Sequence, residues 1–279
     1  MDRVNKTDIR DFEINQLLEA ILFRYGYDFR HYARASLERR IMTRVSLSNF
    51  SSVSEMIPAI LHDADFFDLF IKDMSITVTE MFRDPSVHKE IHHSVCEQLR
   101  TYSRINIWHA GCATGEEVYS MAIMLEEENL LKRTRIYATD YNNHSLKIAK
   151  RGIYPAEKMK LYTQNYIAAG GKASFANYYQ AKHGSAIMQE SLKEHITFAN
   201  HNLMKDQVFA EMHMVVCRNV LIYFDKELQN RVLNLFKDSL IHHGILVLGD
   251  KESLQFTTVV NDFEIFRKKE RSYRKVTYA

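Results

Sequence analysis

Apolar residues in the first quarter of the chain recur at intervals of three and four positions, which is the spacing of an amphipathic helix. The pattern persists to about Asp73 and is broken at two turn-like segments, residues 25–28 and 48–52. It is clearest at Phe12, Leu17, Leu18, Ile21 and Leu22. This part of the chain is therefore predicted to be an all-helical domain of three or four short helices.

Beyond about Lys89 the pattern changes to short β-rich runs separated by amphipathic segments. The predicted strands are 105–108, 135–138, 196–199, 212–217 and 244–249, and the predicted helices are 116–130, 143–151 and 225–240. Such alternation is typical of a parallel α/β sheet. The last predicted element, residues 263–276, has two strand-like runs around a charged turn, which predicts an antiparallel hairpin at the edge of the sheet.

One interval, residues 165–194, does not follow this alternation and is too long for a plain loop. We expect it to form a small subdomain inserted into the sheet domain. The predicted organisation is thus a helical domain with its linker at 1–88 and a sheet domain at 89–279, with the insert at 163–195.

Composition narrows the class of protein. Hydrophobic residues make up 46% of the chain and charged residues 26%, as in globular proteins, and a net charge of +2 is too small for general nucleic-acid binding. The three cysteines are widely spaced, so no disulfide framework or cysteine zinc site is indicated, and the histidines show no metal-binding spacing. We expect a soluble cytoplasmic protein without a metal.

The segment HAGCATGEEVYSMA, residues 109–122, places glycines between a predicted strand and a predicted helix. Its spacing is G-x-x-x-G, so the full dinucleotide fingerprint is absent. Glu116 and Glu117 occupy the first helical turn, where carboxylates also favour the helix dipole without any ligand. Two adjacent carboxylates repel a pyrophosphate, so a nucleoside ligand that carries positive charge, such as S-adenosylmethionine, suits the loop better than NAD or ATP.

Asp140 ends the second predicted strand, about where an acidic residue binds the ribose of a nucleoside ligand. An Asx turn within residues 140–142 is the alternative interpretation. The pattern favours the ligand role and leaves the turn open.

Five motifs resemble, in their order along the chain, those of the CheR family of chemotaxis receptor glutamate methyltransferases. They are TVTEMFRDP (77–85), GCATGEEVYSMA (111–122), ATDYN (138–142), HNL (201–203) and CRNVLIYFD (217–225). The resemblance covers about residues 10–279. It implies an all-helical N-terminal domain followed by a class I S-adenosylmethionine methyltransferase sheet of the Rossmann-like type with a small inserted subdomain.

The resemblance also implies an activity, a partner and site residues. The activity is transfer of a methyl group to glutamate γ-carboxylates of a bacterial chemoreceptor's cytoplasmic helices. Separately from the resemblance, we expect a monomer. The residues implied for S-adenosylmethionine are Thr77, Thr79, Arg83, Glu116, Asp140, Asn202, Leu203, Asn219 and Val220, and Arg83 and Tyr223 are implied nearest the transferred methyl group. Thr77 and Met81 stand where the family commonly has asparagine and phenylalanine, and the insert is unlike the subdomain that docks a receptor peptide in some members.

Two expectations concern mechanism and partner. A carboxylate acceptor is already ionised near pH 7, so the reaction requires no general base. The arginines of the helical domain could contact an acidic receptor bundle, and they are Arg30, Arg34, Arg39, Arg40 and Arg44.

The alternative function is that of a non-catalytic module that binds cofactor and partner. A third function, that of a nicotinamide oxidoreductase, is disfavoured by the two glutamates and the incomplete glycine pattern.

Overall fold

The computed structural model describes residues 5–74 and 79–277. The N-terminal segment, whose apolar residues recur at three and four positions, folds into four helices. They are α1 (Lys6–Tyr25), α2 (Arg34–Leu47), α3 (Met56–His62) and α4 (Ala64–Met74). The Asn5 side chain caps the start of α1 by accepting from the Asp8 amide, and Gly26 ends it in the left-handed conformation. The all-helical prediction is confirmed for this part of the chain.

The chain divides into two compact units, of which the first joins Met1–Ile76 with Ile222–Gln229 and the second joins Thr77–Leu221 with Asn230–Ala279. Residues 79–88, which the sequence analysis grouped with the helical domain, lie in the second unit. The reason is packing, because Met81 and Phe82 are buried in the core of that unit and the Phe82 amide donates to Ser120 Oγ (2.8 Å).

The second unit contains most of the helices and all the strands described. The helices are α5 (Pro85–Glu90), α6 (Cys96–Leu99), α7 (Glu116–Glu127), α8 (Asn143–Arg151), α9 (Met159–Ala168), α10 (Glu190–Lys193) and α11 (Lys226–Ser239). The strands are β1 (Ile105–Ala110), β2 (Thr134–Asp140), β3 (Ile153–Pro155), β4 (Tyr179–Lys182), β5 (Ser185–Met188), β6 (Ile196–Asn200), β7 (Met212–Cys217), β8 (Leu240–Leu248), β9 (Phe263–Arg267) and β10 (Ser272–Lys275). A π-helical turn, Ile91–Val95, joins α5 to α6, and the first turn of α11 is counted with the first unit.

The main sheet has the strand order β6-β2-β1-β7-β8-β10-β9. Its first five strands are parallel neighbours, and β10 pairs antiparallel with both β8 and β9, so the predicted edge hairpin is confirmed. The chain leaves β1 towards β2 on one side and returns as β7 on the other. The carboxyl ends of β1 and β7 therefore form the switch point at which open α/β sheets bind ligands.

The inserted strands form a separate antiparallel sheet with the order β3-β5-β4. This sheet begins at Ile153, ten residues before the range predicted for the insert. This start was not predicted, because a three-residue strand is too short to show an alternating pattern. Gly152, in the left-handed conformation, ends α8 immediately before β3 and turns the chain into the small sheet.

Lys275 is the most deeply buried lysine of the second unit, and its hydrogen bonds connect β10 to the end of α11. Its side chain is 2% exposed, and Nζ donates to the carbonyl oxygens of Lys237 and Leu240 (2.8 Å each). A helix leaves its last carbonyls without partners inside the helix, and a cation there also favours the helix dipole.

Replacing Lys275 by methionine is expected to lower the free energy of unfolding by about 2 kcal/mol, because two carbonyl groups lose a charged donor. Denaturation followed by fluorescence of the only tryptophan, Trp108, which is buried in the sheet, measures the change. Lys268→Met, at an exposed turn position between β9 and β10, is the control and should leave the midpoint unchanged. Equal stability of the two variants would contradict the prediction.

Candidate active site

The loop between β1 and α7 is attached to the end of β2. The amides of Gly111 and Cys112 both donate to the Thr139 carbonyl (2.8 and 2.9 Å). Gly111 has a positive φ, and a Cβ atom there would lie 2.6 Å from the Val220 side chain, so only glycine fits this close approach. The sequence therefore needs a glycine at this position to bring the loop against both neighbouring strands.

Glu116 is buried at the start of α7, where it faces hydroxyl groups. Thr114 Oγ donates to Glu116 Oε2 (2.6 Å), and Tyr162 Oη lies 3.5 Å from Oε1. Burial raises the pKa of this carboxyl group, and the hydrogen bonds act in the opposite direction. Among residues 5–74 and 79–277 no side chain forms a salt bridge to Glu116, although the charge of Lys158 also lowers its pKa, so the carboxylate can still pair with a bound cation.

Asp140 is also buried, and its carboxylate connects the loop to the chain that follows β2. Oδ2 accepts from the Ala113 amide and Oδ1 from the Asn142 amide (2.9 Å each), so the Asx turn considered above is present. A carboxylate has about four acceptor positions, which leaves capacity for ribose hydroxyls. Burial raises its pKa, although the backbone donors oppose this effect. The turn and the ligand role are therefore compatible.

Asn202 and Leu203 lie in the turn after β6, and this turn is joined to Asp140 by a backbone hydrogen bond. The His201 amide donates to the Asp140 carbonyl (3.2 Å). Asn202 Oδ1 accepts from the Met204 amide (3.0 Å), and both Asn202 and Leu203 are buried. The turn is thus held beside the end of β2, as a shared ligand site requires.

The Asn219 and Val220 pair follows β7 and is held by a residue that the sequence analysis missed. Glu252 is 4% exposed and accepts from the amides of Asn219 (3.0 Å), Val220 (2.8 Å) and Gly249 (2.6 Å). Asn219 has a φ of 61°, an uncommon conformation that these bonds maintain. The sequence offered one signal for the role of Glu252, an acidic residue shortly after a strand. Acidic residues are common at such positions, so this signal alone could not identify it.

Arg83 lies on the segment that packs against the first turns of α7. Phe82, just before it, donates its amide to Ser120 Oγ, which in turn donates to the Glu116 carbonyl (2.9 Å). Arg83 is partly buried, as is Thr79, for which the structure adds no specific contact. Thr77, the remaining cofactor residue predicted on this segment, lies outside the described residues.

The two adjacent glutamates of α7 have different surroundings. Glu117 Oε1 lies 2.5 Å from Arg218 Nη1, and Arg218 Nη2 lies 2.6 Å from Asp84 Oδ2. Burial alone would raise the pKa of Glu117, but Arg218 and His109 hold it well below its ordinary value. Glu117 is therefore neutralised within the protein, whereas Glu116 is the carboxylate left for a cationic ligand.

Tyr223 belongs to the first compact unit, together with the residues that it contacts there. Its carbonyl accepts from the Ala33 amide (2.8 Å), and the Arg40 guanidinium lies 5.3 Å from the centre of its ring. The described contacts are those of a packed aromatic residue, so its place beside the methyl group stays a prediction.

The groups at the ends of β1, β2, β6 and β7 can together accept a nucleoside ligand that carries positive charge. The glycine loop, Glu116, Asp140 and the Asn202 turn are linked by hydrogen bonds, and Val220 packs on Gly111. Two carboxylates occupy the start of α7, where a phosphate would otherwise bind. This arrangement fits S-adenosylmethionine, with its ribose, ammonium and sulfonium groups.

Two buried histidines lie beside the Glu117 and Arg218 pair. His88 and His109 are at most 2% exposed, and within the described part of the protein neither imidazole ring has a hydrogen-bond partner, although His109 Nδ1 lies 3.7 Å from Glu117 Oε2. Burial lowers the pKa of His88 from 6.5 to about 3, and Arg218 adds to the effect. His88 is therefore neutral in the folded protein throughout the physiological pH range.

His88 should make the second unit less stable in mild acid. Between pH 6.5 and about 3 the unfolded chain binds a proton at this histidine and the folded chain does not, so stability falls as the pH falls. Between pH 7 and 5 we expect the wild type to lose about 2 kcal/mol more than His88→Leu, by Trp108 fluorescence in denaturant. His144→Leu, at an exposed position, should keep the wild-type dependence, and parallel curves for all three proteins would refute the assignment.

Two family descriptions match nearly the whole chain. "CheR methyltransferase, SAM binding domain" matches residues 77–271, and "CheR methyltransferase, all-alpha domain" matches residues 13–75. The boundary between them lies close to the division between the two compact units.

Individual relatives agree with this match. The chain is 50% identical to the Pseudomonas putida protein Cher3 over 95% of its own length and 97% of that protein. It is 30% identical to a chemotaxis protein methyltransferase of Listeria innocua, over 82% and 85% of the two chains, and 26% identical to that of Salmonella typhimurium, over 92% and 88%. Among solved structures, magnesium protoporphyrin IX methyltransferase from Synechocystis is similar over 70% of each chain, with 14% identity and a TM-score of 0.32. The extent of the two family matches and of the relatives shows that the chain belongs to the CheR methyltransferase family.

Proposed function

We propose that this CheR-family methyltransferase transfers the methyl group of S-adenosylmethionine to glutamate γ-carboxylates on the cytoplasmic part of a chemoreceptor. The products are a glutamate methyl ester and S-adenosylhomocysteine. The observation that carries the proposal is the pair of buried carboxylates, Glu116 and Asp140, at the switch point of the sheet. The family match and the chemotaxis relatives support the methyl donor and the sensory context.

The reaction needs little acid or base chemistry from the protein. S-adenosylmethionine supplies a methyl group activated by its sulfonium. An exposed glutamate has an ordinary pKa of about 4.3, so the acceptor oxygen is already ionised near pH 7. The side chains of the site therefore act by holding the acceptor in line and by removing water from it.

The residues divide into two proposed roles. Those that hold the cofactor are Thr77, Thr79, Arg83, Glu116, Asp140, Asn202, Leu203, Asn219 and Val220. Arg83 also orients the incoming carboxylate through its guanidinium, which can bind both carboxylate oxygens. Tyr223 lines the path of the methyl group.

The receptor is the proposed partner. Most arginines of the helical domain already have partners within the protein, so fewer of them are free to bind a receptor than their number suggests. Arg30 pairs with Asp28 and Glu19, and Arg34 pairs with Asp11, all inside the first unit. Arg40 and Arg44 also have partners there, whereas Arg39 is exposed. Surface ion pairs are weak and can exchange partners, so an acidic receptor segment can still compete for Arg30 and Arg34.

Localisation and the alternative function are the remaining proposals. None of the helices described combines the length and apolar character that a membrane span requires. We place the protein in the bacterial cytoplasm as a monomer, where receptor signalling segments are accessible. A non-catalytic module that binds cofactor and receptor is the second candidate, and it predicts binding without transfer.

Replacing Arg83 by alanine tests the proposed activity. With labelled S-adenosylmethionine and receptor cytoplasmic fragments, the wild type should produce label that mild base releases as methanol. Arg83→Ala should lower kcat/KM by about 100-fold, because the acceptor loses a positioned charge. Arg104→Ala, at an exposed position just before β1, serves as the control. Cofactor binding by the wild type without any base-labile label would favour the non-catalytic module.

Glu252→Gln tests whether the Asn219 and Val220 pair contacts the cofactor. Glutamine would point an amide N–H at backbone N–H groups that now donate to a carboxylate, which costs about 1–3 kcal/mol. If the loop is part of the site, the Kd for S-adenosylhomocysteine should rise about 10-fold or more by calorimetry. Glu264→Gln, which loses only an exposed pairing with Arg274, should bind as the wild type does. Unaltered binding by a folded Glu252→Gln protein would remove the pair from the cofactor site.

A further inference from the structure

Arg218 connects three segments of the candidate site through one buried guanidinium. Its side chain is 3% exposed. Nη1 donates to Glu117 Oε1 (2.5 Å) and to the Arg83 carbonyl oxygen (3.3 Å), and Nη2 donates to Asp84 Oδ2 (2.6 Å). Arg218 also directly precedes Asn219 in the chain. The segment carrying Arg83, the first turn of α7 and the turn after β7 therefore meet at this side chain.

The backbone on both sides of Arg83 adopts an uncommon conformation. Phe82 has a φ of 53° and Asp84 a φ of 55°, although neither is glycine. Residues in this region persist only when surrounding contacts hold them. The contacts described here are the Phe82 amide with Ser120 Oγ on one side, and the Arg83 carbonyl and Asp84 carboxylate with Arg218 on the other.

The charge of the buried guanidinium is also compensated, by two carboxylates. A buried guanidinium is costly unless it is paired and hydrogen-bonded, and Arg218 has two carboxylate partners. Its pKa is raised by Glu117 and Asp84 in spite of burial, which by itself would lower it. The planar guanidinium presents its donors in a fixed fork, which the single ammonium of lysine cannot reproduce.

We propose that Arg218 is a positioning residue that fixes the backbone at Arg83 against α7, so that the Arg83 side chain is directed at the acceptor carboxylate. This inference rests on the role proposed above for Arg83. Arg218 acts through its neighbour and does not itself contact the reacting groups. Its contribution is to orientation, which affects kcat more than the affinity for cofactor.

The test compares Arg218→Lys with the wild type in three measurements: kcat for receptor methylation, the Kd for S-adenosylhomocysteine, and hydrogen exchange of residues 79–88. We expect kcat to fall about 30-fold, because small errors in the alignment of reacting groups are costly. The Kd should rise by a smaller factor than kcat falls, because Arg83 is one of nine residues proposed to hold the cofactor, and exchange at 79–88 should become faster. Undiminished kcat in a folded variant, or exchange as slow as in the wild type, would overturn the proposal.

Arg267→Lys is the matched control. Arg267 also contacts a carboxylate, a hydroxyl and a backbone carbonyl, those of Glu90, Ser94 and Phe266, but it does so on β9. It should leave kcat and the exchange of residues 79–88 unaltered. Asp84→Asn is a second variant for the case in which Arg218→Lys does not fold. Asp84 is half-exposed, and the asparagine that replaces it keeps one oxygen that can accept from Arg218. It should lower kcat in the same direction by a smaller factor.

A double variant separates this inference from the function on which it depends. In the Arg83→Ala background, Arg218→Lys should cause little further loss of kcat, because both changes remove the same orientation. Fully additive losses would show that Arg218 acts independently and would overturn the proposal. If Arg83→Ala keeps full activity, the role of Arg83 fails, whereas faster exchange at 79–88 in Arg218→Lys would still show that Arg218 holds the segment.

Discussion

The attachment of the glycine loop to the end of β2 is the interaction on which the site depends. The Gly111 and Cys112 amides bind one carbonyl of Thr139, and the Ala113 amide binds the carboxylate of Asp140. Because the loop is held to the strand by its backbone, α7 begins at a set distance from β2. Glu116, the Asn202 turn and the Asn219 turn then face the same end of the sheet, where the parallel strands leave room for a ligand.

Charge compensation differs between the two adjacent glutamates of α7. Glu117 is paired with Arg218, so its charge belongs to the structure of the protein. Glu116 is buried beside hydroxyl groups, and burial raises its pKa although Thr114, Tyr162 and the charge of Lys158 act in the opposite direction. A positively charged ligand lowers the cost of burying this carboxylate and a phosphate increases it. The two neighbouring side chains therefore differ in how far the protein itself compensates their charge, and Glu116 is the one that suits a cationic ligand.

The main elements were predictable because their signals are local. The five parallel strands, α7, α8 and α11 follow from periodicities of two and 3.6 residues that need no knowledge of the rest of the chain. β3 was missed because three residues cannot show a period, and it forms only by pairing with β5. Residues 79–88 were predicted to be the end of the helical domain and its linker, whereas they belong to the second compact unit, because their burial depends on contacts with α7 and not on their own composition.

The same distinction holds for the site. The sequence by itself determined the glycine loop, the acidic start of α7, the acid at the end of β2 and the motifs that identify the family, because these are short patterns along the chain. Only the tertiary structure decided that Glu252 holds the turn after β7, that Arg218 joins Glu117 to Asp84, and that Tyr223 packs in the first unit. These contacts of Glu252 and Arg218 join residues that are 32 to 134 positions apart. A side-chain hydrogen bond across such a separation forms only after folding has brought the partners within about 3 Å, so no local pattern encodes it.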